Sequence, residues 1–254
     1  MEFKKIFVSH KERILTSIAL VLVALVVAVV DNTLLTWLVL GAIYLVSFYE
    51  AMNLFGIKEK KYLVYALALW LAAFIYPNPD DLFYLVIIIF LSIMVHKKDV
   101  NYHILAPFFY PTLSMLFLFA LYKDFGMGTI VWLVVIIAGA DIGAYVTGKS
   151  IGKTLFSKTS PNKTWEGVIG GILVATILGS IVGLGSVELN ISLLVSFLVA
   201  LSSVWGDLFE SYLKREAGVK DSGAIFPGHG GMLDRLDGYL FGSVVMTVLL
   251  RGLL

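Results

Sequence analysis

Cysteine is absent from this 254-residue chain, histidine occurs only four times, and charged residues make up only 15% of it. The lack of cysteine excludes disulfides, thiolate metal sites and a cysteine nucleophile. A soluble domain carries about 25% charged and about 45–50% apolar residues, whereas 59% of this chain is apolar. The scarcity of charge therefore indicates a polytopic membrane protein. The net charge of +1 provides no basic surface that would indicate a nucleic-acid partner.

Apolar runs long enough to cross a membrane follow one another along the whole chain. A spanning helix needs about 20 apolar residues, within a range of about 17–25. The sequence predicts an all-α polytopic membrane protein with about nine transmembrane helices, at roughly 14–30, 34–55, 62–76, 82–95, 104–122, 129–147, 165–184, 190–212 and 238–254. The first run follows a basic N-terminus, as in a signal peptide, but no small-residue cleavage site follows it. We therefore expect a retained first helix.

Basic residues are distributed unevenly between the predicted loops. With the N-terminus on the cytoplasmic side, all but Lys123 and Arg251 of the 19 Lys and Arg residues fall in cytoplasmic segments. Such an excess in short loops sets the orientation of a membrane protein. We expect a cytoplasmic N-terminus and a C-terminus outside. Residues 1–128 would form an N-terminal region of about five spans, and residues 129–254 a C-terminal region of about four, with long cytoplasmic loops at 148–164 and 213–237.

Acidic residues lie near the predicted cytoplasmic ends of the later spans. An ionisable residue in a span is costly and usually marks function; the alternative is that each one lies at the membrane interface. The residues in question are Asp141, Glu166, Asp207 and Glu210. Asp234 and Asp237 are three positions apart and would share a face if that stretch is helical. Clustered carboxylates, without cysteine and with little histidine, favour a hard cation such as Mg²⁺ over zinc.

Basic residues and glycines occupy the same two loops as these acids. The first loop contains Lys149, Lys153, Lys158 and Lys163, and the second contains Lys214, Arg215, Lys220 and Arg235. Acids and bases on one membrane face predict a site for a metal–polyphosphate. The alternative for the lysines is membrane topology alone, which we favour for Lys158. The glycines of GHGG (228–231) allow close approach of a ligand to the backbone or simply form a turn.

Two local features have more than one interpretation. The stretch GKSIGKT (148–154) resembles a phosphate-binding loop, but its glycine spacing is one residue short and it follows a membrane helix, not a strand. We therefore reject a P-loop NTPase. His229 could act as a general base, donate to a phosphate, or form a hydrogen bond within its loop.

The stretch from Ser211 to Asp237 has a more specific pattern. It reads S-Y-L-K-R-x4-K-D-S-G-x2-F-P-G-H-G-G-M-x-D-R-L-D, which resembles the signature of the phosphatidate cytidylyltransferase (CDP-diacylglycerol synthase) family. The resemblance extends upstream through G-D-L-F-E-S (206–211), S-P-N-K-T-W-E-G (160–167) and D-I-G-A-Y-x2-G-K (141–149). It therefore covers the C-terminal half well, whereas the first 130 residues match only as apolar spans.

This resemblance implies a reaction in which CTP and phosphatidic acid give CDP-diacylglycerol and pyrophosphate. It also implies dependence on Mg²⁺, alone or with a second cation, a bacterial inner-membrane location with a cytoplasmic active site, and a homodimer among membrane lipids. We expect metal ligands at Asp207, Asp221, Asp234, Asp237, Asp141 and Glu166. We expect catalytic residues at Lys214, Arg215, Lys220, His229 and Arg235. We expect substrate contacts at Lys149, Lys153, Ser160, Lys163, Ser211, Gly230 and Gly231.

Other functions differ from this one in specific ways. The DGxxAR motif of CDP-alcohol phosphotransferases is absent, because Ile142 follows Asp141. A CTP-dependent polyprenol kinase or an archaeal-type lipid cytidylyltransferase stays open, since these enzymes differ in the lipid acceptor. A transporter is disfavoured, because the acids collect at one membrane face and not near the midplane.

Overall fold

Helices make up nearly all of the part of the chain that the structure describes. The computed structural model describes Thr16 and residues 18–97, 101–226 and 230–254. Within these residues the helices are α1 (Ile18–Val30), α2 (Thr33–Leu54), α3 (Lys61–Ile75), α4 (Leu82–His96), α5 (Ser114–Phe125), α6 (Met127–Ile151), α7 (Trp165–Gly183), α8 (Leu189–Glu216) and α9 (Leu233–Leu253). No β-strand occurs among them. The predicted all-α class is confirmed.

Several of these helices have the length and composition of membrane spans. Seven helical segments of the described chain are long and apolar enough to cross a membrane, and α1 and α3 are shorter apolar helices. The chain is therefore an integral membrane protein. The proline-containing stretch YPNPDD (76–81) separates α3 from α4, with a short 3₁₀ helix at Pro79–Asp81 before α4.

The long charged loop predicted at 213–237 is shorter in the structure. Helix α8 continues to Glu216, and α9 begins at Leu233. The helix outlasts the apolar pattern because Lys214 lies four residues after Glu210, with 3.2 Å between Nζ and Oε1, and such pairs stabilise a polar helical turn. Charge therefore marks the end of the apolar region but not the end of the helix.

Two further helix boundaries differ from the prediction. The span predicted at 104–122 is interrupted, because Pro111 lies in a π-helical segment (Phe108–Leu113) in which Tyr110 has non-helical backbone angles. Proline lacks an amide and clashes with the preceding turn, so α5 begins only at Ser114. Helix α6 instead extends to Ile151, which shortens the loop predicted at 148–164.

Glycine and alanine allow α6 and α7 to pack very closely. A methyl group built on Gly171 would lie 2.6 Å from the carbonyl oxygen of Ala140 and 3.0 Å from Cβ of Ala144. One built on Gly143 would lie 3.0 Å from Cα of Gly171. Small residues at such contacts let helix backbones approach each other inside a membrane. This contact fixes the position of Asp141, which lies between Ala140 and Gly143 on α6.

The close packing of α6 and α7 predicts that a larger side chain at Gly171 destabilises the fold. Gly171→Val should lower the free energy of unfolding by about 1–3 kcal/mol or more, because the side chain has no room. The measurement is the temperature at which half of the detergent-solubilised protein leaves the monodisperse size-exclusion peak. Gly128→Val is the matched control, since it lies on α6 and a methyl group there meets no atom within 4 Å. Equal losses in the two variants would contradict the packing argument.

The C-terminal end of α9 lies in a cluster of ion pairs. Arg251 donates to both carboxylate oxygens of Asp80, at 2.6 and 3.0 Å, and to Asp124 at 2.8 Å. Lys123 Nζ donates to the carbonyl oxygen of Tyr76 at 2.7 Å. Arg251 and Lys123 are the two basic residues that the sequence predicts to lie outside. About 21 Å of helix separates Arg251 from Asp237, at about 1.5 Å per residue.

Candidate active site

One cavity lies among α6, α7, α8 and α9, near the ends that carry the basic loops. Its volume is about 220 Å³, and its wall includes Asp141 from α6, Asp207 from α8 and Asp237 from α9. The segment that leads into α7 adds Lys163 and Thr164. Three carboxylates from three different helices therefore share one space with a lysine.

The charges in this cavity do not cancel. Asp141 and Asp237 each experience repulsion from Asp207 and attraction to Lys163, and Arg235 also attracts Asp141. Lys163 forms an ion pair with Asp207, and both side chains are partly exposed, at 25% and 31%. The wall thus carries three acids and one lysine, and Arg235 acts on Asp141 from outside the wall. The excess of negative charge favours the binding of a cation at this place.

Glycines and a helix N-terminus form another part of the cavity wall. Gly148, Gly167 and Gly171 line it, so backbone atoms can approach a ligand there. The side-chain oxygen of Thr164 accepts from the amide of Gly167 at 3.2 Å and caps α7. The other amides at the start of α7 have acceptors of their own, since Trp165 donates to the carbonyl oxygen of Thr154 at 2.9 Å and Val168 to that of Thr164 at 3.0 Å.

The residues of the cavity fit Mg²⁺ by their chemistry but do not form a finished metal site. In the described ranges, no three acidic or histidine side chains are close enough together to hold an ion as they stand. Asp141, Asp207 and Asp237 nevertheless present only oxygen donors to a shared polar space, and oxygen is the ligand atom that Mg²⁺ prefers. The assignment of Mg²⁺ stays a prediction.

Asp234 belongs to a separate polar cluster. Its Oδ1 accepts from Lys214 Nζ at 2.6 Å. Its Oδ2 accepts from the amides of Ser222 and Gly231, at 2.9 and 2.7 Å, and from Ser222 Oγ at 3.0 Å. We call Asp234, Lys214, Ser222 and Gly231 the Asp234 cluster. Here Asp234 orders the loop before α9, whereas Asp237, three residues later, lines the cavity.

Glu166 also forms contacts other than those expected of a metal ligand. Its carboxylate accepts from the amides of Lys153 and Thr154 at 3.2 Å and from Thr154 Oγ1 at 2.8 Å. These bonds tie the segment after α6 to the first turn of α7. Glu166, which the sequence analysis predicted to be a metal ligand, thus holds the loop at Lys153 and Thr154 in this structure.

Three other predicted site residues are not among those that line the cavity, namely Ser211, Lys149 and Arg215. Ser211 Oγ is 3.4 Å from Asp207 Oδ1. Lys149 Nζ is 3.2 Å from the hydroxyl of Tyr145, which does line the cavity. Arg215 donates to the carbonyl oxygen of Val219 at 2.9 Å.

The remaining assignments fall on loop residues. Lys153, Lys220 and Asp221 are exposed, and Ser160 is partly exposed. Gly230 has a φ of +80°, a conformation that favours glycine. His229 lies outside the described residues. The roles assigned to all of these residues stay predictions.

Glu50 is a buried acid that the sequence analysis did not single out, and Tyr145, Asn162, Thr164 and Ser203 of the cavity wall are further polar residues that it did not name. Glu50 lies on α2, it is only 3% exposed, and its carboxylate accepts from the amides of Met232 and Leu233, both at 2.9 Å. The signal was a single acid in the apolar stretch LVSFYEAMNL (45–54), since an ionisable residue in a span usually has a function. Its partners, about 180 positions later, have no signal in the sequence.

Comparison with known proteins identifies one matching protein family and several similar proteins. Residues 11–253 match the model of the cytidylyltransferase family. The chain is 46% identical over 245 residues to the phosphatidate cytidylyltransferase of Helicobacter pylori strain J99, covering 95% of this chain and 92% of that protein. It is 44% identical over the same shares to the enzyme of that name from Helicobacter pylori strain 26695. The one from Brucella suis is 41% identical over 158 residues, or 55% of this chain and 56% of that protein.

Proposed function

The chain belongs to the cytidylyltransferase family, and from that premise we propose that it transfers CMP from CTP to phosphatidic acid, giving CDP-diacylglycerol and pyrophosphate. It is a nucleotidyltransferase of phospholipid biosynthesis, as the relatives similar over most of its length are named. The observation that carries the chemistry is the convergence of Asp141, Asp207 and Asp237 with Lys163 in one cavity. An acidic cavity beside basic side chains suits a metal-bound triphosphate.

We propose that this cavity faces the cytoplasm of a bacterial inner membrane, in a chain with about nine spans, its N-terminus inside and its C-terminus outside. The distribution of Lys and Arg supports this orientation. The two bases expected outside are both engaged at the far end of α9, Arg251 by Asp80 and Asp124 and Lys123 by a carbonyl oxygen. CTP is a cytosolic nucleotide. The proposed reaction therefore requires a cavity that opens to the cytoplasm. Labelling of single cysteines placed in each loop of this cysteine-free chain tests the orientation.

We also propose the homodimer that the family resemblance implies. The test is the molar mass of the protein part of the detergent complex, by light scattering coupled to size exclusion. A mass near 28.0 kDa, that of one chain, would contradict the dimer.

In the proposed reaction an oxygen of the lipid phosphate attacks the α-phosphorus of CTP. A new O–P bond forms, the bond between the α-phosphorus and the bridging oxygen breaks, and pyrophosphate leaves. A phosphate monoester has a second pKa of about 6, by analogy with phosphoserine. The nucleophile is thus mostly dianionic at pH 7 and needs no strong general base, which reduces the need for His229 in that role.

The side chains of the cavity then bind and orient the reactants. Asp141, Asp207 and Asp237 would hold Mg²⁺, which when bound neutralises phosphate charge. Lys163 can exchange its partner Asp207 for a phosphate, and Arg235 contributes a second positive charge near Asp141. Fixed charges of this kind accelerate phosphoryl transfer mainly by positioning and electrostatic stabilisation.

Purified protein in detergent tests the activity directly. With CTP labelled in the cytosine, phosphatidic acid and Mg²⁺, we expect label to enter the lipid phase with one pyrophosphate released for each labelled lipid. EDTA should abolish the transfer, and excess Mg²⁺ should restore it. Transfer that persists in EDTA would contradict the metal assignment.

Two further arms separate the alternatives. Release of CDP with a polyprenol acceptor would identify a kinase, and labelling of an archaeal-type lipid in preference to phosphatidic acid would identify a different acceptor. Either result, in folded protein that fails to label phosphatidic acid, would overturn the proposed substrate.

A further inference from the structure

Glu50 supplies a carboxylate to the start of α9 from the opposite half of the chain. Met232 is the N-cap residue of α9, and its side chain makes no capping hydrogen bond. The first amides of a helix have no partner within that helix. Two of them, at Met232 and Leu233, donate to Glu50 at 2.9 Å. The negative charge also lies at the positive end of the helix dipole, where it is stabilising.

The backbone around Glu50 is shaped to admit its carboxylate. A methyl group built on Gly223 or on Gly231 would collide with the carboxylate of Glu50. Glycines on both sides of the loop, 223 and 231, therefore leave space that Glu50 fills. This is an observation independent of the hydrogen bonds, and it indicates that the loop is built around this side chain.

Ser222 connects Glu50 to the Asp234 cluster. Its Oγ lies 2.9 Å from Oε2 of Glu50 and 3.0 Å from Oδ2 of Asp234, and its amide donates to Asp234 at 2.9 Å. A continuous polar chain thus runs from Glu50 through Ser222 and Asp234 to Lys214. Such a network fixes its members more strongly than separate pairs do.

We propose that Glu50 is a positioning residue for the transfer reaction. The hydrogen bonds of its carboxylate go to Ser222, Met232 and Leu233, outside the described cavity wall, but they anchor the first turn of α9, and Asp237 lies in the next turn. Displacement of that turn would move Asp237 relative to Asp141 and Asp207. The N-terminal region is therefore part of the active-site support and not only a membrane anchor. The catalytic part of this inference rests on the proposed function.

Kinetics of Glu50→Gln test the positioning role. Glutamine keeps the shape but has one acceptor, and its amide group would face an N–H donor. We expect kcat per folded molecule to fall about 10- to 100-fold, as for other residues that orient ligands, with the KM for phosphatidic acid changed by less than about threefold. Ser47→Ala is the matched control, because Ser47 is equally buried on α2 but donates only to its own helix, at Ile43. It should leave kcat unchanged.

A spin label provides a second readout that does not depend on activity. In this cysteine-free chain, Ala224→Cys places a label in the loop next to Gly223, and Lys158→Cys places one in the other loop. Glu50→Gln should increase the mobility of the label at 224 and leave that at 158 unchanged.

The two readouts separate the possible failures. A normal kcat in Glu50→Gln, or unchanged mobility at 224, would overturn the positioning role. A lower yield of folded protein with a normal kcat per folded molecule would show a purely structural role and overturn it too. Absence of transfer in the wild-type chain would defeat the proposed function, while the label at 224 would still report whether Glu50 orders the loop.

Discussion

Replacing Asp237 by asparagine is expected to lower the rate of CMP transfer by about a thousandfold without lowering the stability of the fold. Asp237 lines the cavity, and its nearest electrostatic neighbours include the like charges of Asp207 and Asp141. Asparagine is isosteric, so packing is preserved, and one source of repulsion disappears. Activity should therefore fall while the midpoint of thermal unfolding stays constant or rises. The Mg²⁺ concentration for half-maximal residual activity should also increase.

The matched control is Glu188→Gln, which makes the same change of acid to amide on the exposed N-cap of α8. Glu188 lies at the opposite end of α8 from Asp207, about 28 Å away at about 1.5 Å per residue. It should leave both rate and Mg²⁺ dependence unchanged. Near-normal turnover of Asp237→Asn, in protein with a normal size-exclusion profile, would exclude Asp237 as a metal ligand.

The part of the site that could be predicted from sequence is the part with a local physical signal. A carboxylate in an apolar helix is costly wherever the helix lies, so Asp141 and Asp207 could be identified without knowledge of the packing. The all-α class follows equally from the composition. The prediction that both long basic loops lie on one membrane face put these acids on that face, but it did not determine that they line one cavity.

The rest depends on contacts between residues far apart in the chain. Asp234 and Asp237 could be placed on one helix, but three residues rotate a side chain by about 60° from its neighbour, which suffices to give them different partners. The partners of Asp234 include Ser222 and Lys214. Neither could be predicted from its position in the sequence. Glu50 shows the same limit, because its charge was visible but the amides it binds were not.

Asp234→Asn is expected to have the second large effect, and for a different reason. One asparagine oxygen can replace Oδ2, which accepts from Ser222 and Gly231, but the amide group then faces the ammonium of Lys214. Lys214 is only 12% exposed and Asp234 only 6%. Removal of one partner of such a buried ion pair costs about 3–5 kcal/mol. We expect a large loss of both thermal stability and turnover, and no recovery of turnover on raising Mg²⁺.

A double-mutant cycle with Lys214→Gln distinguishes this account from metal ligation by Asp234. If the two residues act through their mutual contact, the double variant should lose less stability than the sum of the single variants, by about 0.5–3 kcal/mol. Additive losses in the unfolding midpoint, together with recovery of turnover at high Mg²⁺, would assign Asp234 to the metal instead. Asp237 and Asp234 would then have the same role, whereas we propose that Asp237 acts in the reaction and that Asp234 orders the loop before α9.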